Sequence, residues 1–276
     1  MGYIDLHAHT TASDGSLSPF ALVHAAVERG VRVLAVTDHD TLAGLQEALG
    51  VVEKEGLPLR VVSGIELSAL YGDHNVHLLG YGLDPTSTTL MAQLGLLTAH
   101  REERARAMLD KLAAVGAPIP WERVRELGGD NVARPHIARV LVEQGHARSM
   151  NDAFNRFIGD GAPAYLPSSR FTPAEAIRLV RDEGGEVALA HPGLLHPTFT
   201  LDMVLDDLQH AGLTGLEVYH STHSAALSAR LRATAAKRGL WWSGGSDFHD
   251  PTKPEALLGA VDVPDAVLTQ GPFKTL

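Results

Sequence analysis

Short apolar runs alternate with helix-like segments along most of this chain, and that alternation points to a parallel α/β architecture rather than a sandwich or a bundle. Tyr3 to Leu6 is the first run and ends at His7. Ser18 followed by Pro19 marks the start of a helix, because serine caps the free N–H groups and proline suits the first turn; Gly30 closes it. Val31 to Val36 then runs into Thr37, Asp38 and His39, before a helix from about Thr41 to Glu55. Strands are also expected from Arg60 to Leu67, from Asn75 to Tyr81, through VALAH to His191, through LEVY to His220, and through WWSG towards Asp247.

The alternation stops between residues 86 and 165, where only helical patterns occur, including a long one through HREERARAMLDKL and another opening near Pro135. The expected organisation is therefore one α/β domain built from residues 1–85 and 166–276, with residues 86–165 inserted as a helical cap. The inserted segment carries ten basic and nine acidic side chains and is about neutral, while the rest of the chain carries about −11, for a formal net charge of −10. An acidic chain of this kind has no broad surface for nucleic-acid backbones, which are bound by clustered lysine and arginine. An anionic substrate would approach through the neutral segment, or through metal ions that reverse the local field. No run of 18 or more apolar residues occurs, and the N-terminus lacks a basic-then-apolar leader pattern, so the expectation is a cytoplasmic protein without a membrane partner. The oligomeric state is left open.

Cysteine is absent, which excludes disulfides, thiolate metal sites and a cysteine nucleophile. Any metal must be held by nitrogen and oxygen. Histidine is abundant instead, at 15 of 276 residues, and imidazole is both a metal ligand and the usual acid–base side chain. His7 and His9 in DLHAH lie two apart on a strand and so point the same way. Alone, such a pair could equally be two solvated side chains. TDHD places Asp38, His39 and Asp40 at the end of a buried strand, and GIEL places Glu66 inside an apolar one; both arrangements are costly unless a cation or hydrogen bonds compensate. GSDFH repeats the two-residue spacing with Asp247 and His249. His7, His9, His39, Glu66, His191, Asp247 and His249 all fall at or near strand ends, where parallel barrels gather their functional groups. His77 in NVHLLGY and Asp14 in TASDG can reach the same rim, giving six imidazoles and three carboxylates, enough for two or three ions.

In that order, DLHAHTTASDG, VTDHD, GIELS, ALAHP and GSDFH resemble the motifs of the PHP (polymerase and histidinol phosphatase) family of metal-dependent phosphoesterases. The resemblance spans nearly the whole chain. It implies a distorted (β/α)7 TIM-like barrel with a trinuclear centre at its mouth, holding divalent manganese, iron or zinc. Carried over, His7, His9, Glu66 and Asp247 would hold one ion, with Glu66 bridging to a second held by His77 and His191. Asp14, His39 and His249 would hold the third. A hydroxide shared by two ions would then attack phosphorus, since coordination brings the pKa of water to about 7.

The inserted ARPHIARVLVEQG and the later LEVYHSTHS are similar to the branch that includes 3',5'-nucleoside bisphosphate phosphatases and 5'-to-3' exoribonucleases. That likeness implies a small phosphorylated partner, a nucleotide or short RNA end, and makes Arg134, His136, His223 and Arg170 the candidate substrate residues. Arg134 would pair with phosphate, unless it is only a helix-start residue bound to a surface acid. His223 would orient phosphate or protonate the leaving oxygen, unless it only caps the helix that follows. A histidinol-phosphate phosphatase and a noncatalytic metal-stabilised domain are the competing expectations.

Overall fold

A computed structural model describes residues 2–129, 132–166 and 171–274. Seven strands form one sheet in sequence order: β1 (Tyr3–Asp5), β2 (Val31–Val36), β3 (Arg60–Tyr71), β4 (His74–Tyr81), β5 (Glu186–Leu189), β6 (Gly215–His220) and β7 (Trp241–Gly245). Helices α1 (Pro19–Glu28) and α2 (Ala43–Glu55) connect the first three strands, which pair in parallel. The expected caps form: Ser18 Oγ accepts from Ala21 N at 3.2 Å, and Gly56 ends α2 at φ 60°.

The parallel expectation fails at β4. This strand follows β3 through a tight hairpin and runs antiparallel to both β3 and β5. Gly72 turns that hairpin at φ 61°, a region open to glycine because it has no Cβ. β3 is consequently longer than the sequence suggested, so Glu66 lies within a strand rather than at its end. Ser68 faces His77 across the hairpin, leaving both Glu66 and His77 on regular, rigid backbone. β5, β6 and β7 return to parallel pairing, with α7 (Pro173–Asp182), α8 (Leu201–His210) and α9 (Ala225–Arg238) around them.

Three backbone bonds bring the sheet's two edges together: Leu6 N to Gly244 O at 3.1 Å, Asp247 N to His7 O at 2.9 Å, and His9 N to Phe248 O at 2.9 Å. They carry the first and last histidine motifs side by side. Beneath them, Ile4, Leu6, Leu34, Ile65, Leu78, Leu189 and Leu216 form one buried core with Tyr81, whose hydroxyl donates to Leu6 O at 2.7 Å.

Between β4 and α7 lie helices α3 (Thr88–Ala114), α4 (Trp121–Gly128), α5 (Arg134–Glu143) and α6 (Met150–Ala153), the last running into a π-helical turn at Phe154–Ile158. Met108, Leu112, Val124, Ile137, Val140, Leu141 and Ile158 close a second apolar cluster, separate from the one under the sheet. Among the described residues no helix is long and apolar enough to cross a membrane.

Candidate metal centre

The site is built on β1 and the segment leaving it. His7 and His9 are both fully buried, with ring centroids 5.2 Å apart. The next loop is folded around Asp38, which accepts from Thr10 N, Thr10 Oγ1 and Ser13 Oγ, each at 2.7 Å. A Cβ on Gly15 would meet His9 O at 2.5 Å, so only glycine lets this loop close. The closure sets Asp14 with Oδ1 3.2 Å from His249 Nε2 and Oδ2 3.9 Å from His39 Nε2.

Glu66 occupies the middle. Its Oε1 lies 3.0 Å from both His77 Nδ1 and His191 Nε2. Its Oε2 lies 3.4 Å from His7 Nε2 and 3.2 Å from both His9 Nε2 and His39 Nδ1. Asp247 completes the set, with Oδ1 3.3 Å from His7 Nε2 and 3.2 Å from His9 Nε2. The nine side chains expected from the sequence thus meet in one continuous cluster.

Three backbones around the cluster are strained. Asp40, His191 and Asp247 take φ values of 53°, 25° and 56°, where side chains with a Cβ are rarely found. Such strain persists only where surrounding contacts over-determine it, and it concentrates at functional sites.

The electrostatics fit a cation site. Burial alone would raise the Glu66 carboxyl, but His39, His77 and His7 hold it well below the usual carboxylate range. Asp247 is likewise raised by burial and pulled well down by His7, His220 and His9. Burial opposes charge on His9, yet Asp247 and Glu66 bring it up to about 10. His39, by contrast, is driven by burial down to about 3, against the pull of Glu66 and Asp14. His7 Nε2, His9 Nε2 and Asp14 Oδ1 are buried without a hydrogen-bond partner among the described residues. Carboxylate oxygens of Glu66 and Asp247 face the two Nε2 atoms at 3.2 to 3.4 Å, and His249 Nε2 faces Asp14 Oδ1 at 3.2 Å. Buried polar atoms left this way normally mark a missing ion or water, and a donor set of imidazole and carboxylate suits divalent first-row metals.

The candidate substrate residues divide. Arg134 lines a cleft of about 230 Å³ whose wall also includes Asp14, His39 and His77. Arg134 also pairs with Asp160 at 2.9 Å. His136 is absent from that lining; its Nδ1 accepts from Ala133 N at 3.0 Å, fastening the start of α5. His223 uses both ring nitrogens within the protein, Nδ1 against Val218 O at 2.9 Å and Nε2 accepting from Gly193 N at 3.1 Å. Ser224, not His223, caps α9. Arg170 lies outside the described residues.

Sequence reasoning passed over two buried residues. Glu217, fully buried on β6, stands 2.9 Å from His7 Nδ1, and His220 Nε2 stands 3.4 Å from Asp247 Oδ2. The signal for Glu217 was the one that flagged Glu66, a carboxylate inside an apolar strand. Arg101 and Arg104 on α3 were also passed over, although both line the cleft and Arg101 pairs with buried Asp40.

A buried cluster of imidazoles and carboxylates at one rim of a mostly parallel α/β sheet defines a metal-dependent hydrolase. The PHP domain matches residues 5–115. Over 250 residues the chain is 38% identical to the 5'-3' exoribonuclease Rnm of Escherichia coli, covering 90% of this chain and 85% of that protein. It is 35% identical over 254 residues to the 3',5'-nucleoside bisphosphate phosphatase of Chromobacterium violaceum, covering 91% and 88%. A solved Bifidobacterium adolescentis structure, assigned as a metal-dependent phosphoesterase, superposes with a TM-score of 0.83 at 33% identity, covering 96% of this chain and 93% of that one. The chain belongs to the PHP family and is a metal-dependent phosphoesterase.

Proposed function

We propose that the chain hydrolyses phosphate esters of nucleotides, taking a 3',5'-nucleoside bisphosphate or the 5' end of a short RNA. The observation that carries this reading is the cleft at the cluster's edge. Its lining brings Asp14, His39 and His77 together with Arg101, Arg104, Arg134 and Phe154. A nucleotide needs a cation site for the phosphate being cleaved, guanidinium groups for a second phosphate, and an apolar surface for its base. All three lie within one opening. The relatives named above act on substrates of this kind.

In this reading residues 86–165 are a cap over a distorted (β/α)7 barrel formed by residues 1–85 and 166–276. His7, His9, Glu66 and Asp247 would hold one divalent ion, Glu66 with His77 and His191 a second, and Asp14, His39 and His249 a third. Manganese, iron or zinc suits these donors. Bound there, the ions would neutralise phosphoryl oxygens and bring water's pKa to about 7. The protein's part is to orient the ester: Arg134 would hold the phosphate that is not cleaved, and Pro135 and Phe154 the base. His223 has no nitrogen to spare for a leaving group, so it receives no proton-transfer role.

The test is to incubate manganese-loaded protein in parallel with a 3',5'-bisphosphonucleotide, a short 5'-phosphorylated RNA and histidinol phosphate. Faster release from either nucleotide substrate is expected. Hydrolysis of histidinol phosphate alone would overturn the nucleotide reading, and inertness towards all three after metal loading would overturn the choice of substrate class.

A further inference from the structure

Glu217 touches two of the candidate ligands at once. Its Oε1 lies 2.9 Å from His7 Nδ1, and its Oε2 accepts the backbone N–H of His191 at 2.6 Å. From this geometry we infer that Glu217 is a positioning residue, which fixes the ring state of His7 and the backbone of His191 so that both present Nε2 to the metal ions. The inference rests on the metal reading of the cluster.

A neutral imidazole carries one proton, and only the other nitrogen can ligate a cation. His7 Nε2 faces Glu66 and Asp247, at 3.4 and 3.3 Å. For that nitrogen to offer its lone pair, the ring proton must stay on Nδ1. The Glu217 carboxylate is acceptor-only and sits against Nδ1, so it holds the proton there. A hydrogen bond from the outer ring nitrogen to a carboxylate is the general means by which proteins set ligand tautomer and orientation.

His191 needs a different kind of support. It stands two residues beyond β5 with φ 25° and ψ 61°, a conformation that its own chain does not favour. The short bond from its N–H to Glu217 is what ties that backbone to β6. Its ring then reaches Glu66 Oε1 at 3.0 Å. One buried carboxylate thereby orders a ligand on each side of Glu66.

Both functions require an acid rather than an amide. A glutamine at this position offers one acceptor and one donor, whereas both of its neighbours are donors. The NH₂ group would oppose the His191 N–H, or oppose Nδ1–H and push the His7 proton onto Nε2, where it blocks ligation. Because Glu217 is fully buried, water cannot make good the loss.

The decisive experiment compares zinc binding by the wild type and Glu217→Gln, using dialysis against buffered zinc with elemental analysis, alongside ¹⁵N-histidine NMR. The variant should bind zinc roughly 10- to 100-fold more weakly, as expected when a partner behind a metal ligand is lost. Zinc-loaded wild type should show His7 protonated at Nδ1 and ligated through Nε2. Equal zinc affinity in the two proteins would overturn the role of Glu217 and leave the metal reading standing. Zinc found on His7 Nδ1 would also overturn it, and would make His7, Glu217 and His220 a cation site instead. Failure of the wild type to bind zinc or manganese would overturn both. If the variant does not fold, the NMR state of wild-type His7 decides the question by itself.

Discussion

Glu66 Oε1 stands 3.0 Å from His191 Nε2, while the other oxygen of the same carboxylate faces His7, His9 and His39 at 3.2 to 3.4 Å. A single buried side chain therefore joins both halves of the cluster through its two carboxylate oxygens. Glu66→Gln should remove the shared anion while keeping the size of the side chain. Metal ions contribute several kcal/mol to phosphoryl transfer, so phosphoesterase activity should fall at least about 100-fold. Elemental analysis should find fewer ions per chain. Full metal content with full activity would remove Glu66 from the centre.

Protons compete with metal for the same nitrogens. In the metal-free protein His9 is raised from 6.5 to about 10, and His7 is raised well above 6.5, by neighbouring carboxylates that outweigh burial. The folded state then binds more protons than the unfolded chain between those values. Stability from these two residues is fully present below pH 6.5 and is lost as pH rises towards 10. In chelator, the melting temperature should fall across pH 7 to 10. Metal binding must expel those protons, so affinity should rise with pH, and calorimetry in buffers of different ionisation enthalpy should register proton release. His39, held by burial near 3, is already neutral and contributes none. A binding enthalpy independent of buffer would contradict this account.

Two separate apolar clusters predict two separable stabilities. Leu141 is fully buried among Met108, Leu112, Val124 and Ile137, away from the core under the sheet. Leu141→Ala should cost about 2–5 kcal/mol, the usual range for a cavity of this kind. Hydrogen exchange should accelerate in α3 to α6 while β1 to β7 keep their protection. Uniform acceleration over the chain would show that the inserted helices and the sheet unfold as one unit.

The imidazole and carboxylate cluster was legible because most of its residues obey a local rule. His7, His9, His39, Asp247 and His249 follow the ends of short apolar strands, and period-two spacing aims each pair one way. Glu66 and His77 were legible for another reason, as polar residues in apolar runs, but the strand-end rule misplaces Glu66, since β3 continues past it into an antiparallel hairpin. The hairpin did leave a trace: seven residues, with Gly72 and Asp73 among them, separate Leu67 from Asn75, too few for a parallel crossover. Glu217 carried the same signal as Glu66 and was hidden by its place within LEVY, next to the more visible His220. Arg101 sits in HREERARAMLDKL, which reads as a solvated helix face; its pairing with Asp40 spans 61 residues and leaves no trace in periodicity. The strained φ of His191 and Asp247 is likewise a product of tertiary contacts.

Arg134 tests whether the cleft recognises a second phosphate. Its guanidinium lies 5.5 Å from the Tyr165 ring centre and 5.7 Å from that of Phe154, and it binds Asp160, whose side chain is 75% exposed. An exposed partner of this kind contributes no more than about 1 kcal/mol, so the pair does not explain why an arginine is held beside the cluster. The group has five donors, and Asp160 engages NH1 alone, so a phosphate can use the rest. Arg134→Ala should lose about 1.5–3 kcal/mol of substrate interaction, the range for hydrogen bonds to charged groups. That is roughly 10- to 150-fold in kcat/KM for a bisphosphonucleotide. A substrate with only the cleaved phosphate should lose far less. Arg134→Lys should recover only part of the activity, because an ammonium cannot reproduce the planar fork. Asp160→Asn is the control: it removes the surface pair, should leave stability within about 1 kcal/mol, and should not lower turnover. Equal losses on the two substrates would mean that Arg134 shapes the cleft without reading a second phosphate.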